Sequence, residues 1–434
     1  MQENSETFYH NLPNGVRVVV RRTDSPVVYV GVMVGAGTRD EQPAENGMAH
    51  YIEHCVFKGT ERHTARQIIN SIEGIGGEIN AYTTKEETTF YAATLPEHLR
   101  RTLRLLAEMV LRPTFPKHET DKELGVIFDE IESYNDSPSE LIYDDFEGML
   151  FEGHPLAMPI LGTKKTLRNI GSSSAYPQQW MRQHYRAERM VVFCQGSIAP
   201  ERFFRLAERE FGGVSVGENP PARPAGDLRT TCGRPAGDPR ETRERPARDP
   251  RQGQHIAYKR HTHQVHAMLG NIAYPLGHEL QLPFYLINNI IGGGSLNSRL
   301  NLRLRESRGL VYTVESTYTP LSDTGYWCTY FACEPEHFDE CVRLCHEELD
   351  KLCSHPLSES QIQKALQQLR GQMAIGSLNQ ENNALAMAKS VLYFGHAPTW
   401  AETFEQIAQT TTSQLIKASE EILTPCHLSI LTYK

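Results

Sequence analysis

His50-Tyr51-Ile52-Glu53-His54 places two imidazoles and a carboxylate within five residues of a chain whose other histidines are scattered. On a helix, positions four apart share a face, so His50 and His54 can hold one metal ion from adjacent turns. Glu53 beside them can reach a water at that metal without binding the metal, which is the placement of a general base. Asn46 reads as the N-cap. Gly47 to Phe57 carries Met48, Ala49, Ile52, Val56 and Phe57 as apolar positions, and Lys58-Gly59 supplies a basic last turn and a stop. The bland alternative is two histidines flanking a surface glutamate, and the difference turns on whether a third ligand exists elsewhere.

A catalytic zinc site takes three protein ligands and keeps a fourth position open. The stretch 117–134 reads as an acidic amphipathic helix with Leu124, Val126, Ile127 and Ile131 inward. Glu123 and Glu130 lie seven residues apart, two helical turns, and so share a face. One of them could ligate zinc while the other accepts from a ligating histidine. Both could equally be solvated glutamates on an acidic face.

Gly47-Met48-Ala49-His50-Tyr51-Ile52-Glu53-His54, followed by Phe57-Lys58-Gly59-Thr60, resembles the inverted zinc peptidases, the family of pitrilysin, insulin-degrading enzyme and mitochondrial processing peptidase. The nearest likeness is to its short, processing-peptidase-like members. Gly76-Gly77-Glu78-Ile79-Asn80-Ala81-Tyr82-Thr83 looks like the family's strand that pairs with bound peptide, and Val126-Ile127-Phe128-Asp129-Glu130-Ile131 looks like the segment carrying its third ligand. The resemblance therefore implies zinc, one ion per chain, on His50, His54 and Glu130, with Glu123 as the acidic residue behind a ligand. It also implies that substrate binds along Asn80, Ala81 and Tyr82. Gly292 to Leu300 and Leu304 to Tyr312 resemble the signature of the family's second half, where an arginine and a tyrosine seven residues apart help hold substrate near the metal. Arg305 and Tyr312 have that spacing. Read without the family, the glycine-rich turn could bind phosphate, but no Lys-Ser or Lys-Thr follows it.

A chain of 434 residues is long enough for two to four compact units. Its net charge of -9 lacks the basic footprint of a nucleic-acid binder. Nine cysteines without regular spacing do not form a disulfide framework. Cys55, directly after His54, reads as a small buried hydrophobe, with a thiol ligand or redox switch as the alternative. Cys341 and Cys345, at helical spacing, read as packing. The polar start, Met1 to Glu6, and the lack of any apolar stretch of about 20 residues lead to the expectation of a cytoplasmic protein with no membrane span.

The chain also shows an internal echo. Leu95-Pro96-Glu97-His98-Leu99 and Glu334-Pro335-Glu336-His337-Phe338 each follow an aromatic-rich strand and precede a long amphipathic helix. This predicts a diverged duplication in which Tyr285-Leu286-Ile287-Asn288-Asn289 stands where the first half carries its histidines, so that only the first half binds metal. Between the halves, residues 217–254 are rich in Pro, Arg, Gly and Asp, with Arg-Pro-Ala-Gly-Asp at 223 and 234 and Arg-Pro-Ala-Arg-Asp at 245. Such a segment buries too little surface to offset its ordering entropy and reads as a linker; docking of an acidic partner is the alternative. His261, His263 and His266 suggest a second metal site only weakly, because no carboxylate or cysteine accompanies them.

The resulting expectation is an α+β chain of two related α/β-sandwich-type domains, 1–216 with the metal and 255–434 with the Arg/Tyr pair, joined by 217–254. Its expected activity is zinc-dependent endopeptidase cleavage of unfolded peptides inside a clamshell chamber. Glu53 would be the base, and Arg305 and Tyr312 would act on substrate, in trans within a homodimer. The rival reading is a noncatalytic or partner-dependent subunit of a heterodimeric processing peptidase.

Overall fold

The computed structural model describes residues 6–214, 253–260 and 262–434. These fall into two compact units. The first holds a six-stranded sheet of β1 (Glu6–Asn11), β2 (Arg17–Arg22), β3 (Val28–Val34), β4 (Glu78–Thr83), β5 (Thr88–Thr94) and β6 (Met190–Gly196), in the order β1-β2-β6-β3-β5-β4. Only the β2/β6 pair is parallel. The second unit holds β7 (His255–Tyr258), β8 (Val265–Ala273), β9 (Val311–Pro320), β10 (Gly325–Cys333) and β11 (Ser429–Tyr433), in the order β7-β11-β8-β10-β9. Here only β7/β11 is parallel. With β1 set aside, the two orders match strand for strand. The expected duplication is therefore visible as shared topology, and β5 and β10, the two aromatic-rich strands, occupy the same place in each sheet.

The central strands of the first sheet read as near-continuous valine runs because both faces are covered. Val18, Val20, Val30, Val32 and Val192 face a core that includes the helices α1 (Met48–Cys55), α2 (Ala65–Ile72) and α3 (Leu99–Leu111). Val19, Met33, Val191 and Phe193 face the opposite way, onto Ala384, Met387, Ala388 and Val391 of a helix at Gln380–Phe394. Two further helices, α4 (Lys117–Asn135) and α5 (Pro138–Leu150), follow along the chain.

The units do not follow a simple cut between 216 and 255. Residues 136–150, which include α5, belong with the second unit, while 375–399 belong with the first. Each sheet has two apolar faces, so α5 packs on β8 and β11 while Gln380–Phe394 packs on β2, β3 and β6. Of the expected linker, residues 217–252 lie outside the described residues. Val126 is a second departure: expected inward on α4, it is 52% exposed, while Ile127 is fully buried. Among the described residues no helix is long and apolar enough to cross a membrane.

Candidate metal centre

Residue choice around α1 sets its direction before any metal is considered. Asn46 does not cap it; the N-cap is Gly47, at φ 93°, with no side-chain cap of its own. A side chain at Gly47 would be strained by that backbone and would meet Leu161 O and Gly162 Cα at 3.0 Å. The free N–H groups instead donate to Glu41: Gly47 N to Oε2 at 2.8 Å and Ala49 N to Oε1 at 2.7 Å. Asn46 serves this cap indirectly, its Nδ2 donating to Glu41 Oε2 at 3.2 Å and to Pro159 O at 2.9 Å. Burial pushes the Glu41 carboxyl up to about 8, against the pull of these N–H donors. The α-helix proper ends at Cys55, and Val56–Lys58 continues as a 3-10 turn to Gly59.

From this helix His50 and His54 meet Glu130 of α4. His50 Nε2 lies 3.8 Å and His54 Nε2 3.5 Å from Glu130 Oε2, and one ligand atom from each of the three residues lies within 4.8 Å of the others. Tetrahedral zinc with bonds of about 2.0–2.1 Å needs donors roughly 3.4 Å apart, so two nitrogens and one oxygen fit this ion with small adjustment. Among the described residues no other group of His, Cys, Asp and Glu converges in this way.

The protonation states suit a ligand set. Burial, then the neighbouring His54, pushes His50 down to about 3, which leaves its ring neutral. For His54 burial pulls down, but its bond to Glu123 and the charges of Glu53, Glu130 and Glu123 outweigh it, and the net shift is upward. His54 Nδ1 donates to Glu123 Oε1 at 2.8 Å, and Lys58 Nζ lies 2.5 Å from Glu123 Oε2. These contacts fix the His54 tautomer with Nε2 toward Glu130. Burial raises the Glu123 carboxyl, yet the His54 and Lys58 contacts prevail and hold it below the ordinary range.

Glu53 shares the helix but not the cluster. Burial raises its carboxyl, the Thr83 side chain and the His54 charge pull it down, and Glu130 pushes it up, for a net rise. Thr83 ends β4, which among the described residues has a strand neighbour only on its β5 side and so stands at the edge of the sheet. Asn80, Ala81 and Tyr82 lie on this edge strand, opposite Tyr91, Phe90 and Thr89 of β5, and α1 packs against it.

The second unit holds the remaining candidates. Arg305 lies on a π-helical turn at Asn301–Glu306, and its guanidinium carbon stands 5.9 Å from the centroid of the Tyr312 ring at the start of β9. Tyr312 is 81% exposed. Cys55 is fully buried, burial raises its thiol to about 12, and it stands outside the group of His50, His54 and Glu130. Cys341 and Cys345 are likewise buried in the second core. Of the histidines after the linker, His266 Nδ1 pairs with the Tyr330 hydroxyl at 2.8 Å, and His261 lies outside the described residues.

Residues 17–164 match the family described as Insulinase (Peptidase family M16), and residues 178–369 match Peptidase M16 inactive domain. An uncharacterized zinc protease of Bacillus subtilis is 30% identical over 396 residues, 91% of this chain and 90% of the relative. The chain belongs to peptidase family M16. Another M16 relative, an uncharacterized zinc protease of Streptomyces coelicolor, is 30% identical over 415 residues, 95% of this chain and 86% of its own length. A protease from Helicobacter pylori shares the fold with a TM-score of 0.84 at 18% identity, covering 99% of this chain and 100% of that one. The M16 match at 17–164 contains His50, Glu53, His54, Glu123 and Glu130; Arg305 and Tyr312 lie in the match described as inactive. Sequence reasoning missed Glu41 and Thr83. Glu41 lies nine residues before His50, and no spacing rule links a loop carboxylate to the first turn of a following helix.

Proposed function

We propose that this M16 chain is a zinc metalloendopeptidase that cleaves unfolded peptides or short polypeptide segments. The observation that carries the reading is the convergence of His50 Nε2, His54 Nε2 and Glu130 Oε2 beside the carboxylate of Glu53 and the outer edge of β4. A zinc ion held by His50, His54 and Glu130 would supply Lewis acidity toward a water and a scissile carbonyl. Glu53 takes the proton from the attacking water and delivers it to the leaving amine. Asn80, Ala81 and Tyr82 receive substrate as an added strand on the outer edge of β4, where backbone bonds tolerate many sequences. Arg305 binds substrate backbone and Tyr312 donates toward the developing oxyanion. We further propose a homodimer closing around a chamber, with Arg305 and Tyr312 of one subunit serving the metal centre of the other.

The test is hydrolysis of a quenched fluorescent peptide library by wild type and Glu53→Gln, with zinc measured on both. Activity confined to wild type, with zinc near one per chain in each, is expected, and the loss should be about 10²–10⁴-fold in kcat. A zinc-loaded wild type that cleaves nothing would favour the partner-dependent subunit of a heterodimer. Mixing Glu53→Gln with Arg305→Ala/Tyr312→Ala should restore activity in verified heterodimers; no recovery would exclude the trans arrangement.

A further inference from the structure

We propose that Glu87, gripped by Lys389 and Tyr393, is a positioning residue for the metal centre, an inference that rests on the peptidase reading. Its carboxylate is 1% exposed and is held by two side chains of the helix Gln380–Phe394: Lys389 Nζ at 2.5 Å from Oε1, and the Tyr393 hydroxyl donating to Oε2 at 2.7 Å. That helix comes from the second half of the chain but closes the back of the first sheet. Its C-terminal end is capped by Arg17, whose Nη1 donates to Val391 O at 2.9 Å and Leu392 O at 2.7 Å. Its N-terminal end is tied by the Tyr91 hydroxyl to Glu381 and by Gln195 Nε2 to Gln380 O. A helix fixed at both ends is a rigid anchor for Glu87.

Glu87 ends the four-residue turn that joins β4 to β5. The turn is closed by Thr84 N donating to Glu87 O at 2.8 Å, and the Thr84 hydroxyl oxygen accepts from the amides of Glu86 and Glu87 at 3.2 and 3.1 Å. Two neighbours take their places from it. On one side is Thr83, the last residue of β4, the strand against which α1 and so the helix of Glu53 packs. On the other, Thr38 N donates to Thr84 O at 3.3 Å and Arg39 N to Lys85 O at 2.8 Å, and that loop runs on to Glu41, the cap of α1. Arg39 Nη1 adds a bond to Glu86 Oε1 at 2.7 Å. The general base and the helix bearing both histidines are thus both referenced to one hairpin turn, and Glu87 ties that turn to the helix behind the sheet.

Removing Lys389 leaves a buried carboxylate short of its counter-charge, a state costly enough to pull the turn toward water. Substrate pairing on the outer edge of β4 uses backbone bonds and tolerates a shift of the turn. The geometry of Glu53 does not, because small misplacements of a catalytic group cost large factors in rate. Lys389→Met is therefore expected to lower kcat about tenfold or more while KM changes by less than about threefold. Zinc stays near one per chain, and amide exchange speeds up at 83–87 but not in β2 or β6. Lys389→Arg restores most of kcat, and Tyr393→Phe gives a smaller loss of the same kind in case Lys389→Met folds poorly. Wild-type kcat in both Lys389→Met and Tyr393→Phe, or a loss that Lys389→Arg leaves unrepaired, would overturn the proposal. If the wild-type chain cleaves no peptide, the peptidase reading fails separately, and unchanged exchange at 83–87 in Lys389→Met then overturns the tether itself.

Discussion

Two helix pairs, one in each unit, hold themselves together by different chemistry. In the first unit α1 meets α4 through His54, Glu123 and Glu130, a set with surplus donors and charge that invites a metal. In the second, the helix Gln281–Gly292 meets Glu359–Gly376 through neutral amides: Asn289 Nδ2 donates to Gln372 Oε1 at 2.7 Å, and Gln372 Nε2 to Ser295 Oγ at 2.5 Å. Asn288 turns away to accept from Trp327 Nε1 at 2.9 Å. Amides satisfy one another without a third party, whereas two imidazoles facing a carboxylate do not. The candidate ligand group is thus found in one copy of the scaffold, and the matching helices of the other copy are joined by neutral side chains.

This contrast is sharpest at Glu123, where the largest effect is expected. Glu123→Gln keeps the shape but faces Lys58 with a neutral amide and weakens the acceptor behind His54. Zinc affinity should fall about 10–100-fold, read by competition with a chelating dye, with little change in thermal stability. Wild-type affinity in this variant would mean that Glu123 only balances Lys58. The matching change in the other copy is Asn289→Ala, which strands a half-buried Gln372 at a cost of about 1 kcal/mol. It should leave zinc affinity and peptide cleavage as they were, measured by denaturant unfolding beside the same two assays. Loss of zinc from Asn289→Ala would show that the copies are energetically linked.

What the sequence disclosed and withheld follows the same line. Short-range spacing carried far: His50, Glu53 and His54 lie on one helix, and Glu123 and Glu130 on another, because period and composition suffice for a helical face. The choice between Glu123 and Glu130 as ligand could not come from spacing, since both share that face; the family resemblance made it, and the distances to His54 agree. The repeated Pro-Glu-His segments disclosed the duplication. Nothing in the sequence disclosed that α5 and Gln380–Phe394 trade units, because an amphipathic helix records that it has an apolar face and not which sheet receives it. Glu87 and Lys389, 302 residues apart, carry no local signal of their pairing. Val126 was misplaced because an apolar side chain on a helix is not thereby buried.

Glu41 gives the smallest effect and the finest test of the comparison, because the second copy uses a different group there: at the start of Gln281–Gly292 the amide of Leu280 donates to His278 Nδ1 at 3.1 Å. Glu41→Gln presents an NH2 group where an N–H donor must be received, so part of the cap is lost, at about 1 kcal/mol. The dependence on pH separates burial from capping. Burial holds the folded carboxyl near 8 against an ordinary value of 4.5, so between those values the folded chain binds more protons than the unfolded one. The stability contributed by this group is then fully present below about pH 4.5 and lost as pH rises to about 8. The glutamine variant does not titrate, so the difference in Tm between wild type and variant should shrink across that window and level off above it. A difference that grows with pH would mean that the donors from Gly47, Ala49 and Asn46 outweigh burial, and that α1 is aimed by a carboxylate ionised throughout.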